Sequence, residues 1–227
     1  GMYILGETPA MSDPDLTHAR AALAALEHLV VQDLFVTETA QFADVILPAA
    51  AWSEKSGTVT NTNRQVQMGR AALSPPGEAR PDWWIIQEMA RRFGLDWDYH
   101  GPEQVFAEMK QGMHSLDHIS WSRLEREGSV TYPCSADDAP GQDVVFSDAF
   151  PRAGGRGRFS PAWPLPPDEP VDEAYPIVLT TGRLLEHWHT GAMTRRSRVL
   201  DEREPEAAAF LASAELDRLG VTPGDAI

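Results

Sequence analysis

Apolar positions along this chain follow two periods, and the switch between them outlines its elements. Met2–Leu5 is a short apolar run closed by Gly6, Glu7, Thr8 and Pro9, which predicts a buried strand ending in a turn. Leu16, Ala19, Leu23 and Leu26 then recur at helical spacing. With Asp13 as N-cap and Pro14 in the first turn, a helix is expected over about 14–28. Leu29, Val30 and Val31 form a second apolar run that ends at polar Gln32 and Asp33. A short helix near 38–43 precedes a third run, Val45, Ile46 and Leu47, closed by Pro48. Strands alternating with helices predict an α/β layer with a parallel sheet, Rossmann-like in outline.

Residues 52–70, with Gly57, Asn61, Asn63 and Gly69, read as loop with short β segments. Asp82 opens a helix over 83–93 that Gly94 stops, a further helix begins at Pro102, and another is expected near 120–127 before Gly128. Residues 133–172 are rich in Pro, Gly and Asp without a period, which predicts an irregular connecting segment. A strand is expected over 175–181 and a short helix over 213–219, capped by Gly220. Pro223, Gly224 and Asp225 then turn into a strand of which Ala226 and Ile227 are present. A two-residue strand has too little pairing to hold, so the sequence reads as a fragment that stops inside a fold.

Composition narrows the class of partner. Acidic residues outnumber basic ones 34 to 19, for a formal charge of -15, which argues against nucleic acid or an anionic membrane as the main partner. One cysteine, Cys134, permits no internal disulfide and no cluster-binding set; it reads as a buried, inert thiol. No apolar run approaches the roughly 20 residues of a membrane span. No export signal is visible, and the expected location is cytoplasmic.

In open α/β sheets ligands lie at the carboxyl ends of the strands. Three such ends are available: Gly6, Glu7 and Thr8; Gln32 and Asp33; and Pro48. Asp33 has the placement of an acid that accepts hydrogen bonds from a ribose or base, and equally that of a cap on the following turn. Lys55, before Gly57, reads either as a phosphate contact or as a solvated surface group. Asp82 reads as a ligand contact or as a helix N-cap. No G-x-G-x-x-G follows the first strand and no Walker sequence occurs anywhere, which weakens ordinary NAD or NTP binding. The densest polar cluster is Thr181, Gly182, Arg183, Leu184, Leu185, Glu186, His187, Trp188, His189 and Thr190, followed by Thr194, Arg195 and Arg196. Guanidinium and hydroxyl groups suit phosphate, imidazole and indole suit a heterocycle, and a charged surface loop is the plain alternative. His187 and His189 lack nearby partners for a metal site, and no catalytic set is identifiable.

At this cluster the chain resembles the molybdopterin oxidoreductases of the dimethyl-sulfoxide-reductase family, formate dehydrogenase catalytic subunits above all. The stretches Val30-Val31-Gln32-Asp33, Ala43-Asp44-Val45-Ile46-Leu47-Pro48, Glu54-Lys55-Ser56-Gly57 and Pro76-Gly77-Glu78-Ala79-Arg80-Pro81-Asp82-Trp83 resemble the same family in the same order. The resemblance implies that residues 1–110 are an α/β domain for molybdopterin guanine dinucleotide. Residues 111–172 would connect it to the truncated start, over 173–227, of a C-terminal β-barrel of double-psi type. Gly6, Glu7, Gln32, Asp33, Lys55 and Asp82 match family positions on a guanosine or its phosphates, and Thr181 through Thr190 match the loop around pterin and pyrophosphate. Thr8 departs from the family's Asn or Asp. The implied cofactor is a bis(molybdopterin guanine dinucleotide) holding molybdenum, with tungsten as the alternative. The metal-ligating residue, the catalytic residues and a 4Fe-4S cluster would belong to N-terminal domains upstream, and electron-transfer subunits would be further partners. In the full enzyme formate is oxidised to CO2, whereas this chain alone is expected to be inactive. The segments Trp97-Asp98-Tyr99-His100 and Tyr132-Pro133-Cys134 resemble formate dehydrogenase more than periplasmic nitrate reductase, which stays the alternative beside a non-catalytic accessory protein that keeps the fold.

Overall fold

Three short parallel strands set the frame. In the computed structural model, which describes residues 1–227, β1 (Met2–Leu5), β2 (Leu29–Asp33) and β3 (Val45–Pro48) pair in the order β1-β2-β3. Leu5 stands opposite Gln32, and Asp33 opposite Pro48, so the three carboxyl ends lie level. The crossover from β1 to β2 holds α1 (Pro9–Ser12) and α2 (Leu16–Ala24). The N-cap of α2 is Asp15, whose Oδ1 accepts from the His18 N–H at 3.0 Å. Asp13, the expected cap, instead accepts from the Asp15 N–H at 3.0 Å and bends the chain into the helix. Leu23 of α2 joins Ile4, Ala10, Leu29, Val31 and Ala40 in a core on one face of the sheet. The helix expected near 38–43 is a single 3-10 turn, Ala40–Phe42, and Asp44 closes the far end of the sheet by accepting from the Leu29 N–H at 2.7 Å.

The stretch after β3 folds more regularly than expected. β4 (Gly57–Thr60) and β5 (Gln65–Gly69) form an antiparallel hairpin, and β6 (Ser129–Thr131) adds to β5 from more than sixty residues away. Along the chain between β5 and β6 run α3 (Asp82–Arg92), α4 (Pro102–Gly112) and α5 (Trp121–Glu127). Phe106, Leu116, Ile119 and Leu124 pack with Val66 and Val130 into a second core, which also takes in Cys134. Gly94, at φ +85, ends α3 in the left-handed conformation, as expected, and the Leu95 N–H returns to the Ala90 carbonyl at 3.0 Å. Arg64 fastens the hairpin to the segment beyond β6: its guanidinium donates to the carbonyls of Tyr132 at 2.5 Å, Gln142 at 2.9 Å and Asp143 at 2.8 Å.

Residues 166–227 form a separate compact unit. They contain a 3-10 turn (Thr194–Arg196), α6 (Arg198–Arg203) and α7 (Ser213–Leu219), the last ended by Gly220 at φ +68 as the sequence predicts. The expected strands at 175–181 and 226–227 are not formed, and no barrel strand occurs in this unit. The composition of 175–181 suits a strand, but a strand exists only with a neighbour to satisfy its backbone groups, and none of this unit pairs with it. No helix of the chain is long and apolar enough to cross a membrane.

Candidate functional site

The carboxyl ends of β1, β2 and β3 open into a cleft of about 290 Å³. Its walls carry Gly6, Gln32, Asp33, Lys55 and Asp82, together with Leu34, Ala49, Ala50, Ala51 and Trp52. Five of the six positions singled out in the α/β part therefore share one cavity. Glu7, the sixth, is exposed on the loop after β1 and is not part of the lining.

Local chain geometry explains the convergence. Gly6 turns the chain out of β1 at φ +62, a conformation costly to a residue with a Cβ, while its N–H donates to the Gln32 carbonyl at 2.9 Å. Beyond β3, residues 80–81 run alongside Pro48 and Ala50: the Arg80 N–H donates to the Pro48 carbonyl at 3.1 Å, and the Ala50 N–H to the Arg80 carbonyl at 2.9 Å. This short parallel pairing delivers the start of α3 to the end of β2. Pro81, not Asp82, occupies the N-cap position, and Asp82 is the first helical residue. Its carboxylate makes no cap, which corrects the capping alternative, and turns instead into the cleft. Lys55 is brought in by the 3-10 turn Trp52–Glu54, which Glu54 stabilises by accepting from the Ala51 N–H at 2.9 Å.

A hydrogen-bonded chain crosses the cleft. Gln32, only 1% exposed, donates through Nε2 to Asp82 Oδ1 at 2.7 Å. Lys55 Nζ donates to the other oxygen, Oδ2, in an ion pair. Tyr3 donates its hydroxyl to Gln32 Oε1. Burial, and after it the charge of Asp82, hold the Tyr3 phenol above its ordinary value of 10.0, so the hydroxyl keeps its proton throughout the neutral range. Asp33 accepts from the Leu34 N–H at 2.6 Å through Oδ1. The lining thus holds two carboxylates against one ammonium, and that ammonium is already matched to Asp82. Such a surface suits groups rich in N–H and O–H donors better than additional phosphate charge.

The second cluster is organised differently. Thr181, Gly182, Arg183, Leu184 and Leu185 are exposed, Leu185 to 97%. His187 has both ring nitrogens engaged within its own unit, Nδ1 with Thr194 Oγ1 at 3.2 Å and Nε2 with the Glu204 carbonyl at 2.7 Å. It braces the loop. Trp188 and His189 meet edge to face with ring centres 4.8 Å apart, and both stay exposed, while Glu186 and Thr190 are half-buried. His189 adopts φ +49. Gly191 lies so close to the Arg195 side chain that a Cβ there would sit 2.8 Å from Arg195 Cγ.

Sequence reasoning passed over Tyr3, Trp52 and the Ala49-Ala50-Ala51 run. The alanines were detectable, since three small residues at a strand's carboxyl end let something approach the backbone. Trp52, 81% exposed at the cleft, carried only the weaker signal of a large apolar residue next to a run of small ones.

Residues 1–92 match the family model described as "Molybdopterin oxidoreductase". The whole chain is 41% identical to the "F420-dependent formate dehydrogenase subunit alpha" of Methanocaldococcus jannaschii, of which it covers 34%. It is 37% identical over 91% of its length to the "Assimilatory nitrate reductase catalytic subunit" of Bacillus subtilis, of which it covers 30%. Among solved structures, acetylene hydratase from Pelobacter acetylenicus superposes on 98% of the chain with a TM-score of 0.70 and 21% identity, covering 32% of that protein, which shows the fold. The chain spans about a third of the length of the curated relatives it matches. It belongs to the molybdopterin oxidoreductase family.

Proposed function

We propose that this chain binds the guanosine end of a molybdopterin guanine dinucleotide, as part of a molybdenum-dependent formate dehydrogenase. One observation carries the reading: Gly6, Gln32, Asp33, Lys55 and Asp82, drawn from four separate stretches of sequence, line a single cleft at the carboxyl ends of a parallel sheet. The residues fit the group. A volume of about 290 Å³ stands at the lower end of small-molecule pockets, room for a nucleoside and not for a whole pterin dinucleotide. The cleft's carboxylates are acceptors for the N–H groups of guanine and the hydroxyls of ribose. Trp52 supplies an aromatic face for the base. When bound, the molybdenum cofactor supplies the redox centre at which formate is oxidised; the residues of this chain hold and orient its nucleotide end.

Thr181 through Thr190 are proposed to contact the pterin and pyrophosphate portion, with Arg183 and Thr190 as phosphate donors and Trp188 and His189 as the exposed rings. Residues 1–110 serve as the nucleotide-binding domain and 173–227 as part of a second cofactor-binding domain, the barrel of the family resemblance. Domains bearing the metal ligand and the 4Fe-4S cluster, and electron-transfer subunits, are the proposed partners. Identity to the formate dehydrogenase subunit exceeds that to the nitrate reductase by a small margin, 41% against 37%, so nitrate reduction is the second reading. Assay of the complete enzyme with formate and with nitrate separates them. For the chain itself, GDP is expected to slow amide hydrogen exchange around residues 32–34 and 49–55. No protection at millimolar GDP would defeat the nucleotide reading.

A further inference from the structure

Tyr3 and Gln32 sit on adjacent strands, with Tyr3 opposite Val30 and Leu5 opposite Gln32, so both side chains rise from the same sheet face. The other face carries Ile4, Leu29 and Val31 into the core. A glutamine amide has one accepting end and one donating end, and two orientations related by a flip. Here Oε1 receives the Tyr3 hydroxyl and Nε2 donates to Asp82. The flipped amide would set Oε1 against the Asp82 carboxylate. With Gln32 buried, no solvent is at hand to compensate for that mismatch. Tyr3 itself is absent from the cleft wall, whereas Gln32, Asp82 and Lys55 are part of it.

We propose that Tyr3 is a positioning residue: by donating to Gln32 it locks the amide in the orientation that donates to Asp82, and so aims the Asp82 carboxylate at the bound base. The inference rests on the nucleotide reading given above. Each Asp82 oxygen already accepts one bond, from Gln32 or from Lys55, and each retains a lone pair for a ligand N–H. A base edge with two neighbouring N–H donors, as in guanine, gains most from a carboxylate held this way. Hypoxanthine lacks the exocyclic amine and gains less.

The test is calorimetric titration of the 227-residue chain with GMP and with IMP, in the parent, Tyr3→Phe, Asp82→Asn and the double variant. Tyr3→Phe is expected to weaken GMP binding roughly three- to tenfold, the weight of one hydrogen bond, and to weaken IMP binding less. In the Asp82→Asn background the same change is expected to alter GMP affinity less than about twofold, because the link it acts through is already cut. Unchanged GMP affinity in Tyr3→Phe, or an equal loss in both backgrounds, overturns the inference alone. A parent chain that binds neither nucleotide at millimolar concentration overturns the nucleotide reading and the inference with it. If Tyr3→Phe does not fold, the Gln32 side-chain amide in nitrogen-edited NMR of the parent decides. Gln32 amide protons that exchange slowly with solvent support the lock, and rapidly exchanging ones refute it.

Discussion

The two units of this chain carry similar local patterns and treat them differently. Residues 1–165 contain both sheets and both hydrophobic cores. Residues 166–227 contain no strand and bury no hydrophobic side chain, although Ile177, Val178 and Leu179 form an apolar run of the kind seen in β1. The difference lies in partners. Leu29 and Val31 are buried because β1 and β3 flank them and Leu23 covers them. Leu179, 88% exposed, belongs to no strand and has no paired segment alongside. Polar residues divide the same way: the first unit assembles Gln32, Lys55 and Asp82 from distant stretches, while the second ties His187, Thr194 and Glu204 through bonds reaching at most 17 positions. Long-range pairing creates a cleft, and local bonding creates a braced loop.

The sharpest way to break this contrast is by truncating the cores. Leu124→Ala is expected to destabilise the first unit by about 2–5 kcal/mol, read as a shift in urea midpoint, whereas Leu179→Ala should stay within about 0.5 kcal/mol. Similar costs at both positions would show the second unit to be packed in solution. Next in size, Asp82→Asn should weaken GMP about tenfold or more by removing a charged acceptor, while His189→Ala leaves GMP affinity within about twofold. A large His189 effect would mean that the loop, too, grips the nucleotide. Trp52→Ala should cost roughly fivefold in the same titration if the indole stacks on the base.

The smallest expected effect is on acid stability. The hydrogen bond from Arg123, seconded by Arg126, holds Glu127 below its ordinary value of 4.5 despite an opposing contribution from partial burial. A folded value below the unfolded one means that the contribution is complete above about pH 4.5 and fades as pH falls through the folded value. The parent and Glu127→Gln should therefore differ in stability near neutrality and converge in acid. A gap that persists at low pH would point to packing instead of charge.

Much of the first unit was legible because its signals are local. The three apolar runs, the polar strand ends and the Gly94 stop each need only a few neighbouring residues to be read. The three-residue β6 was not legible, since Ser129–Thr131 becomes a strand only when Gln65, Val66 and Gln67 arrive beside it. Asp82 shows the same limit at the site. As a residue before an apolar helix it reads naturally as a cap, and only the pairing of 80–81 with β3 frees its carboxylate for Gln32 and Lys55. Tyr3 passed as one more apolar strand residue, because the partner of its hydroxyl lies 29 positions away. The strand expected at 175–181 failed for the complementary reason: its apolar pattern is local, and no segment pairs with it.

Arg64 has a mechanical consequence. Its single guanidinium holds carbonyls on both sides of the stretch 133–141, Tyr132 before it and Gln142 and Asp143 after it. A protease cut between Ala136 and Ala139 would leave both new ends riveted to the same side chain, so the two pieces would travel as one under native conditions and part only in denaturant.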